Sequence, residues 1–240
     1  MSNNQVEILV EKLGNPSNWK TSDGYPHSLG LCAIDALWSI GIRYSIVEKV
    51  LNNYLKQRGF LSGLLDKGKC HEGPSEVLTW MNSSPYHNDY FKISESLGSK
   101  NRTSSKNGIL KSEVVADACK LLMSNGVNSC KELIANERKI RIKWQSQLIG
   151  QSSGISYDYL LMLAGSSGYK NDRMVKRFVT QYAPDYTNNI DQLFKKVEQL
   201  CKEMYPSIKV DRTKIDHQMW QIGRSLKIKP KAREIFKAGY

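Results

Sequence analysis

At 240 residues the chain is long enough to bury a sizeable core, in one domain or in two closely packed lobes. Its 35 Lys and Arg residues against 23 Asp and Glu give a net charge of +12, which suits a polyanion such as nucleic acid and would equally suit an anionic membrane surface. No stretch reaches the roughly twenty apolar residues that a membrane-spanning helix needs, so the composition excludes that class.

The cysteine pattern argues against a disulfide framework and against a metal centre. The five cysteines are odd in number and widely spaced, at positions 32, 70, 119, 130 and 201. This spacing, with no long apolar segment after Met1, predicts reduced thiols in a cytoplasmic protein. Cys70 and His71 are neighbours but lack further ligands at metal-binding spacing. We therefore expect no metal and no cofactor.

Hydrophobic periodicity predicts helices through the first eighty residues. Residues 29–40 are almost entirely apolar, with Asp35 and Ser39 as the exceptions, which predicts a central helix buried on most sides. The other helices predicted here cover residues 4–13, residues 45–55 with Ser45 as the cap, and residues 74–82.

The middle of the chain turns polar before helical periodicity returns. Residues 83–107 are rich in Ser, Asn and Lys and offer little to bury. We therefore predict a long surface loop there, with one short ordered piece at residues 90–93. Beyond the loop, the pattern predicts helices over residues 110–123, 129–135 and 139–147.

A glycine-containing turn follows these helices. Gly150 and Gly154 stand four residues apart and predict a tight turn, because glycine adopts positive φ without steric cost. The next helix is predicted to begin at about Ser156, and its unbonded amides and dipole would attract an anion. A phosphate of nucleic acid suits such a site.

One apolar helix later, a carboxylate stands among cations. Asp172 opens a helix that carries Arg173, Lys176 and Arg177. A negative charge there does not add to affinity for a polyanion, so Asp172 is a candidate for chemistry. The structural alternative is that Asp172 only caps the helix. Strand signals are nearly absent and the fold class is all-α, completed by predicted helices over residues 190–204 and 212–225.

The stretch from Leu148 to Phe178 resembles the helix-hairpin-helix DNA glycosylases, the superfamily of endonuclease III and the adenine glycosylases. Those proteins carry a Leu-Pro-Gly-x-Gly hairpin, a buried helix, and an aspartate followed by x-x-(Val/Ile)-x-Arg-(Val/Phe). The residues that fall in this pattern without a gap are Leu148, Gly150, Gly165, Asp172, Val175, Arg177 and Phe178.

The resemblance implies a DNA N-glycosylase in which Asp172 is the catalytic carboxylate. It implies a two-lobed helical fold with a DNA-binding cleft between the lobes, one formed by residues 1–28 plus 129–240 and the other by residues 29–128. The expected partner is double-stranded DNA of any sequence, bound by a monomer. The residues expected to contact DNA are Leu148, Gly150, Gln151, Ser152, Ser153, Gly154, Ser156, Arg173 and Lys176.

Departures from the family pattern refine the expected activity. Ile149 replaces the hairpin proline and Ser152 the second hairpin glycine. Bifunctional members carry a Schiff-base lysine where this chain has Gly154, so the resemblance implies a monofunctional enzyme that leaves an abasic site. Lys170 is the remaining candidate for such an amine. Some members hold an iron–sulfur cluster near the carboxyl terminus, where this chain has only Cys201.

Residues 36–50 resemble, more weakly, the paired helices whose connecting turn inserts a wedge residue into the gap left by a flipped base. Gly41 stands near the usual glutamine, which leaves Arg43 and Tyr44 as wedge candidates. Alternatively, Tyr44 covers the core and Arg43 points to water. Candidates for the base pocket are Asp35, Trp38 and Tyr157, although Asp35 would also fit as the partner of a buried donor and the aromatic rings as core.

The superfamily acts on oxidised, alkylated, mispaired and hypermodified bases, and certain bacterial anti-phage members remove glucosylated cytosines. The rival interpretation is a DNA-binding protein without catalysis that uses the same hairpin and basic surface. A peripheral membrane protein is a weaker rival, since we find no basic amphipathic helix with an aromatic-rich face.

Overall fold

The computed structural model describes residues 3–19 and 24–226, and over these residues the fold is all-α, as predicted. Extended pairing in this part of the chain is limited to an isolated bridge between Arg102 and Leu110. The helices are α1 (Asn3–Leu13), α2 (Leu29–Trp38), α3 (Tyr44–Gln57), α4 (Pro74–Asn82), α5 (Tyr90–Ser96), α6 (Lys111–Met123), α7 (Cys130–Ala135), α8 (Glu137–Gln147), α9 (Ile155–Leu163), α10 (Arg173–Tyr182), α11 (Ile190–Met204) and α12 (Arg212–Ser225).

The chain divides into two compact units. The first comprises residues 1–22 and 169–240, and the second residues 23–168. This division differs from the predicted lobes, which joined residues 129–168 to the chain ends. The reason is packing, because α9 contacts α2 and α8 contacts α6, which draws the hairpin region into the second unit. Residues 1–2, 20–23 and 227–240, which the predicted lobes included, lie outside the described residues.

Helix α2 is the centre of the second unit. All ten of its residues are buried, and it packs against α3, α4, α6 and α9. Gly30 permits this close packing, because a Cβ there would meet the Val77 side chain at 2.8 Å and the Glu72 carbonyl at 3.0 Å. The predicted buried central helix is therefore present.

Two predicted helix ends were wrong. Helix α2 ends at Trp38 rather than at residue 40, because Gly41 adopts φ +76° and turns the chain. The N-cap of α3 is Arg43, which makes no side-chain capping bond, and the predicted cap Ser45 lies inside the helix. The ordered piece predicted at residues 90–93 extends to Ser96 as α5.

The carboxyl end of α2 depends on a buried lysine. The Lys111 ammonium, on α6, donates hydrogen bonds to the carbonyls of Leu37, Trp38 and Ile40 at 2.9, 3.0 and 2.6 Å. Burial lowers the pKa of Lys111 to about 8, so the group is still mostly protonated at pH 7. It satisfies carbonyls that the end of a helix leaves without partners.

Replacing Lys111 by Met should lower the free energy of unfolding by about 2–4 kcal/mol, because three buried carbonyls lose a charged donor. Denaturant unfolding followed by circular dichroism measures this change. Lys120→Met is the matched control, since Lys120 lies on the same helix, is exposed and makes only surface contacts, an ion pair with Asp117 and a hydrogen bond to the Tyr90 hydroxyl at 3.3 Å. Equal stability of the two variants would contradict the capping role.

The first unit is a small helical assembly of α1, α10, α11 and α12. Val175, Phe178 and Phe194 are fully buried in its core. Helix α10 lies close to α12, where a Cβ on Gly223 would meet the Met174 carbonyl oxygen at 2.2 Å. Within the described part of the chain, no helix combines the length and apolarity that crossing a membrane requires.

Candidate functional site

The predicted tight turn joins α8 to α9. Gly150 and Gly154 both adopt left-handed backbone conformations, with φ of +76° and +74°. The turn is closed by hydrogen bonds from the Gln151 amide to the Leu148 carbonyl, at 3.2 Å, and from the Gly154 amide to the Gln151 carbonyl, at 3.1 Å. These two amides are therefore occupied within the turn. Other backbone donors would have to bind an anion.

The start of α9 provides such donors. The helix has no side-chain cap at its amino end, and the Asp158 amide is bonded to the Gly154 carbonyl at 3.0 Å. The preceding Ile155 amide has only a long contact of 3.5 Å to the Ser153 hydroxyl. Ser152 and Ser153 are exposed on the turn. At the helix start itself Gly154 and Ser156 are buried and Ile155 is half-buried, so a phosphate would reach the uncapped amides from the exposed turn.

Three of the predicted DNA contacts point into the protein instead. Gln151 is buried and its side-chain amide donates to the Ile149 carbonyl at 3.2 Å. The Ser156 hydroxyl accepts from the Trp144 indole at 2.9 Å, and Leu148 is buried. Their side chains hold the turn against the core, so any contact with DNA would come from the backbone.

Positive charge reaches this turn from α8. Arg141 pairs with Asp158 at 2.7 Å and lies 3.8 Å from the position of a Cβ on Gly154. Arg138 and Lys139 are exposed on the same helix. The side-chain amide of Gln145 donates to the Ser152 carbonyl at 3.1 Å and fixes the turn to α8. The turn therefore lies beside Arg141, whose charge is partly balanced by Asp158, whereas Arg138 and Lys139 lie at the far end of α8.

The long polar segment also reaches the turn. A Cβ on Gly150 would lie 3.2 Å from the Thr103 side chain. Arg102 bonds the Gly108 carbonyl at 2.9 Å and so closes the end of this segment on itself. The loop predicted at residues 83–107 therefore has an ordered portion next to the hairpin.

Replacing Gly150 by Val should weaken binding to all DNA sequences by about tenfold, because a side chain at φ +76° is strained and would displace the turn. Fluorescence anisotropy with labelled duplexes measures the affinity. Wild-type affinity should also fall steeply with salt, as several phosphates are neutralised.

Gly126→Val is the control for this variant. Gly126 has a similar φ of +71° but no heavy atom within 4 Å of its Cβ position. It lies between α6 and α7, away from the turn in sequence. Equal losses of affinity in the two variants would argue that strain alone lowers binding, and a flat salt response would argue against nucleic acid.

In the first unit, Asp172 is the N-cap of α10. Its Oδ1 accepts hydrogen bonds from the amides of Met174 and Val175 at 2.8 and 3.1 Å. Its Oδ2 lies 3.7 Å from the Lys170 ammonium. The capping role is therefore real, and it occupies one carboxylate oxygen with backbone donors.

Sequence reasoning missed the surroundings of Asp172. The Lys170 amide donates to the buried Asp216 at 3.0 Å, and the Lys170 ammonium lies 5.8 Å from the centre of the Trp220 ring. Burial and the Lys170 charge lower the pKa of His217. Asp216 and His217 therefore lie next to Lys170 and help to define the surroundings of Asp172. Nothing in a single sequence links them to a residue more than forty positions away.

The basic residues of α10 have different roles. Arg173 and Lys176 are exposed and available to a polyanion. Arg177 instead donates to the carbonyls of Gly223 and Leu226 at 3.1 and 3.3 Å. The arginine of the glycosylase-like pattern therefore holds the end of α12 against α10.

Of the predicted wedge and pocket residues, Arg43 lies at the surface and the others face the protein interior. Arg43 is exposed at the start of α3, whereas the Tyr44 hydroxyl donates to Asp35 at 3.0 Å and so faces the protein. Trp38 and Tyr157 are fully buried, with their polar atoms bonded to Ser99 and to the Glu137 carbonyl. Trp38 and Tyr157 therefore belong to the core.

The five cysteines are free thiols and are buried. Within the residues that the structure describes, no three His, Cys, Asp or Glu side chains gather as metal ligands would. The hairpin lies in the second unit and Asp172 in the first.

The chain belongs to the family described as Domain of unknown function (DUF8548), whose model matches residues 4–224. Neither the curated proteins nor the solved structures include a match to this chain. The family assignment leaves the chemistry to be argued from the residues themselves.

Proposed function

We propose that this protein is a monofunctional DNA glycosylase that hydrolyses the N-glycosidic bond of a modified or damaged base. The observation that carries the proposal is Asp172, which caps a basic helix with one oxygen and keeps its second oxygen beside Lys170. Before Asp172 in the chain come the two-glycine turn and the uncapped start of α9. The glycosylases that the sequence resembles have their hairpin and aspartate in the same order.

The hairpin would bind the DNA backbone. A base inside a duplex is out of reach, so the nucleotide must rotate outward at a cost of a few kcal/mol in stacking and pairing. Backbone amides at the start of α9 would hold a phosphate, and the exposed Arg173 and Lys176 would add contacts without sequence preference. In this proposal a monomer binds double-stranded DNA.

Asp172 would supply the chemistry. As the bond between the sugar and the base lengthens, the sugar acquires positive charge, which a nearby carboxylate stabilises. The two backbone bonds to Oδ1 fix the orientation of the side chain, so we assign Oδ2 to the sugar and to the attacking water. The product is an abasic site in an intact strand.

The substrate we propose is a base that differs from the normal four, with a glucosylated cytosine of phage DNA as one candidate. Free cysteines are typical of cytoplasmic proteins, and an enzyme in the cytoplasm would encounter phage DNA. The second candidate function is a hairpin DNA-binding protein without catalysis. It is favoured by the capping bonds of Asp172, which alone would explain an aspartate at this position.

Asp172→Asn separates the two functions. Asparagine caps helices about as well as aspartate, so the fold should be kept while the charge is lost. We expect base release to fall by about a hundredfold or more and DNA binding to persist or tighten. Base release is measured in single turnover by alkaline cleavage of the abasic product.

Asp211→Asn is the matched control, because Asp211 caps α12 by accepting from the Lys214 amide at 3.0 Å. This variant should release the base at the wild-type rate. If Asp172→Asn does so too, the carboxylate is only a cap and the catalytic assignment fails.

Lys170 should not act as a nucleophile. The Schiff-base route needs an amine that is free to attack C1′ of the sugar, whereas the Lys170 side chain forms an ion pair with Asp172 at 3.7 Å. Borohydride treatment during the reaction should therefore trap no covalent complex, and strands should break only after added alkali. A trapped complex that disappears in Lys170→Ala would contradict monofunctional chemistry.

A further inference from the structure

Three tyrosines gather around the buried carboxylate of Asp35 in the second unit. Oδ2 of Asp35 accepts hydrogen bonds from the hydroxyls of Tyr25 and Tyr44, each at 3.0 Å. Tyr159 adds a third hydroxyl, which hydrogen-bonds with Tyr44. Asp35, Tyr25 and Tyr159 are buried, whereas Tyr44 is only half-buried. Tyr44 is therefore the most exposed residue of the cluster.

The hydroxyl groups stay protonated. Burial, followed by the negative charge of Asp35, raises the pKa of Tyr25, Tyr44 and Tyr159 above the usual value. Each tyrosine is therefore a neutral donor, and Asp35 is the acceptor on which Tyr25 and Tyr44 converge. Any replacement for one of these hydroxyls must also bring a hydrogen-bond donor.

Stability alone is a poor explanation for this cluster. Burying a carboxylate costs free energy, and well-packed apolar side chains of similar volume are often at least as stabilising. The surroundings are also basic, because the Lys67 ammonium lies 5.6 Å from the centre of the Tyr25 ring and Arg43 is exposed next to Tyr44. Asp35 is a buried hydrogen-bond acceptor bonded to the half-buried Tyr44, so it suits a ligand with a hydrogen-bond donor. The cations Lys67 and Arg43 nearby suit a ligand that also carries a phosphate.

We propose that Asp35 reads the exocyclic amino group of a base extruded from DNA, replacing the bond that Tyr44 donates. The inference rests on the proposed glycosylase function and adds the substrate class. Aspartate accepts from the amino group of cytosine, and flipped bases are read along their pairing edge. A base with a carbonyl at that position would place its oxygen, a hydrogen-bond acceptor, against the Asp35 carboxylate, which is also an acceptor. The substrate class is therefore a 4-aminopyrimidine or a 6-aminopurine.

The test uses bases that differ only in this group. Duplexes of one sequence carry 5-hydroxymethylcytosine or 5-hydroxymethyluracil, and a second pair carries 8-oxoadenine or 8-oxohypoxanthine. The measured quantity is the ratio of kcat/KM for the amino base to that for the oxo base, in whichever pair the wild type acts upon. Asp35→Asn should lower this ratio by about tenfold or more, because the asparagine amide can donate to a carbonyl.

Tyr44→Phe tests the same idea if Asp35→Asn does not fold. Loss of the competing hydroxyl should raise the ratio by about two- to tenfold, as expected for one hydrogen bond. Tyr54→Phe is the control on the same helix, since Tyr54 is buried but donates to Glu72 at 2.5 Å. Its ratio should equal that of the wild type. Circular dichroism identifies the variants that fold.

The outcomes distinguish the two proposals. An unchanged ratio in the folded Asp35 and Tyr44 variants, with base release intact, would overturn the role of Asp35 and leave the glycosylase standing. A wild-type protein that prefers the oxo base would also overturn the role of Asp35 and leave the glycosylase function standing. A wild type that releases no base from any of the four duplexes, nor from damaged or glucosylated DNA, would remove the glycosylase function and this inference with it.

Discussion

The structure of the second unit depends on satisfying the polar groups of a helix that is buried on every side. The Ser28 hydroxyl accepts from the Leu31 amide at the amino end of α2 and donates to the Glu72 carbonyl at 2.8 Å. Lys111 bonds three carbonyls at the carboxyl end. Without these partners, the unbonded amides and carbonyls at the helix ends would cost free energy. That cost would offset much of the stability that apolar burial contributes. The position of Asp35, the proposed reader of the base, follows from this anchoring.

The capping role of Asp172 is compatible with the chemical role that we propose for it. A carboxylate that must stabilise a developing positive charge has to be held in one orientation, and bonds to two backbone amides do this without a further side chain. The same bonds place the group at the positive end of the α10 dipole. Capping is therefore part of how the proposed active site is built, rather than an argument against it.

Sequence patterns predicted most of the helices because their signal is local. The limits of α11 and α12 agree with the predicted ranges, since both helices carry a clear apolar stripe and are capped at their amino ends by Asn189 and Asp211. The end of α2 was misjudged because Gly41 and the distant Lys111 set it, and apolar periodicity reports neither of them. The division into units was misjudged for a similar reason, since it depends on which helices pack together.

The candidate site was predictable only where it is contiguous in the chain. The two-glycine turn and the aspartate that opens α10 were visible as spacing. The convergence of Tyr25 and Tyr44 on Asp35, and of the Lys170 amide on Asp216, arises from tertiary packing. A single sequence contains no signal for such pairs. Sequence therefore located Asp172 and the hairpin and named Asp35 for the base pocket, but it also assigned Trp38 and Tyr157 to that pocket, and the fold places both rings in the core.

Mass spectrometry of the small molecules released from DNA tests the central claim most directly. The wild-type protein is incubated with duplexes that carry normal, damaged or glucosylated bases, and the filtrate is analysed for free bases. The account predicts that one modified base appears in the filtrate while the strand keeps an alkali-labile abasic site. Salt-sensitive binding to these duplexes, with no base released from any of them, would contradict it.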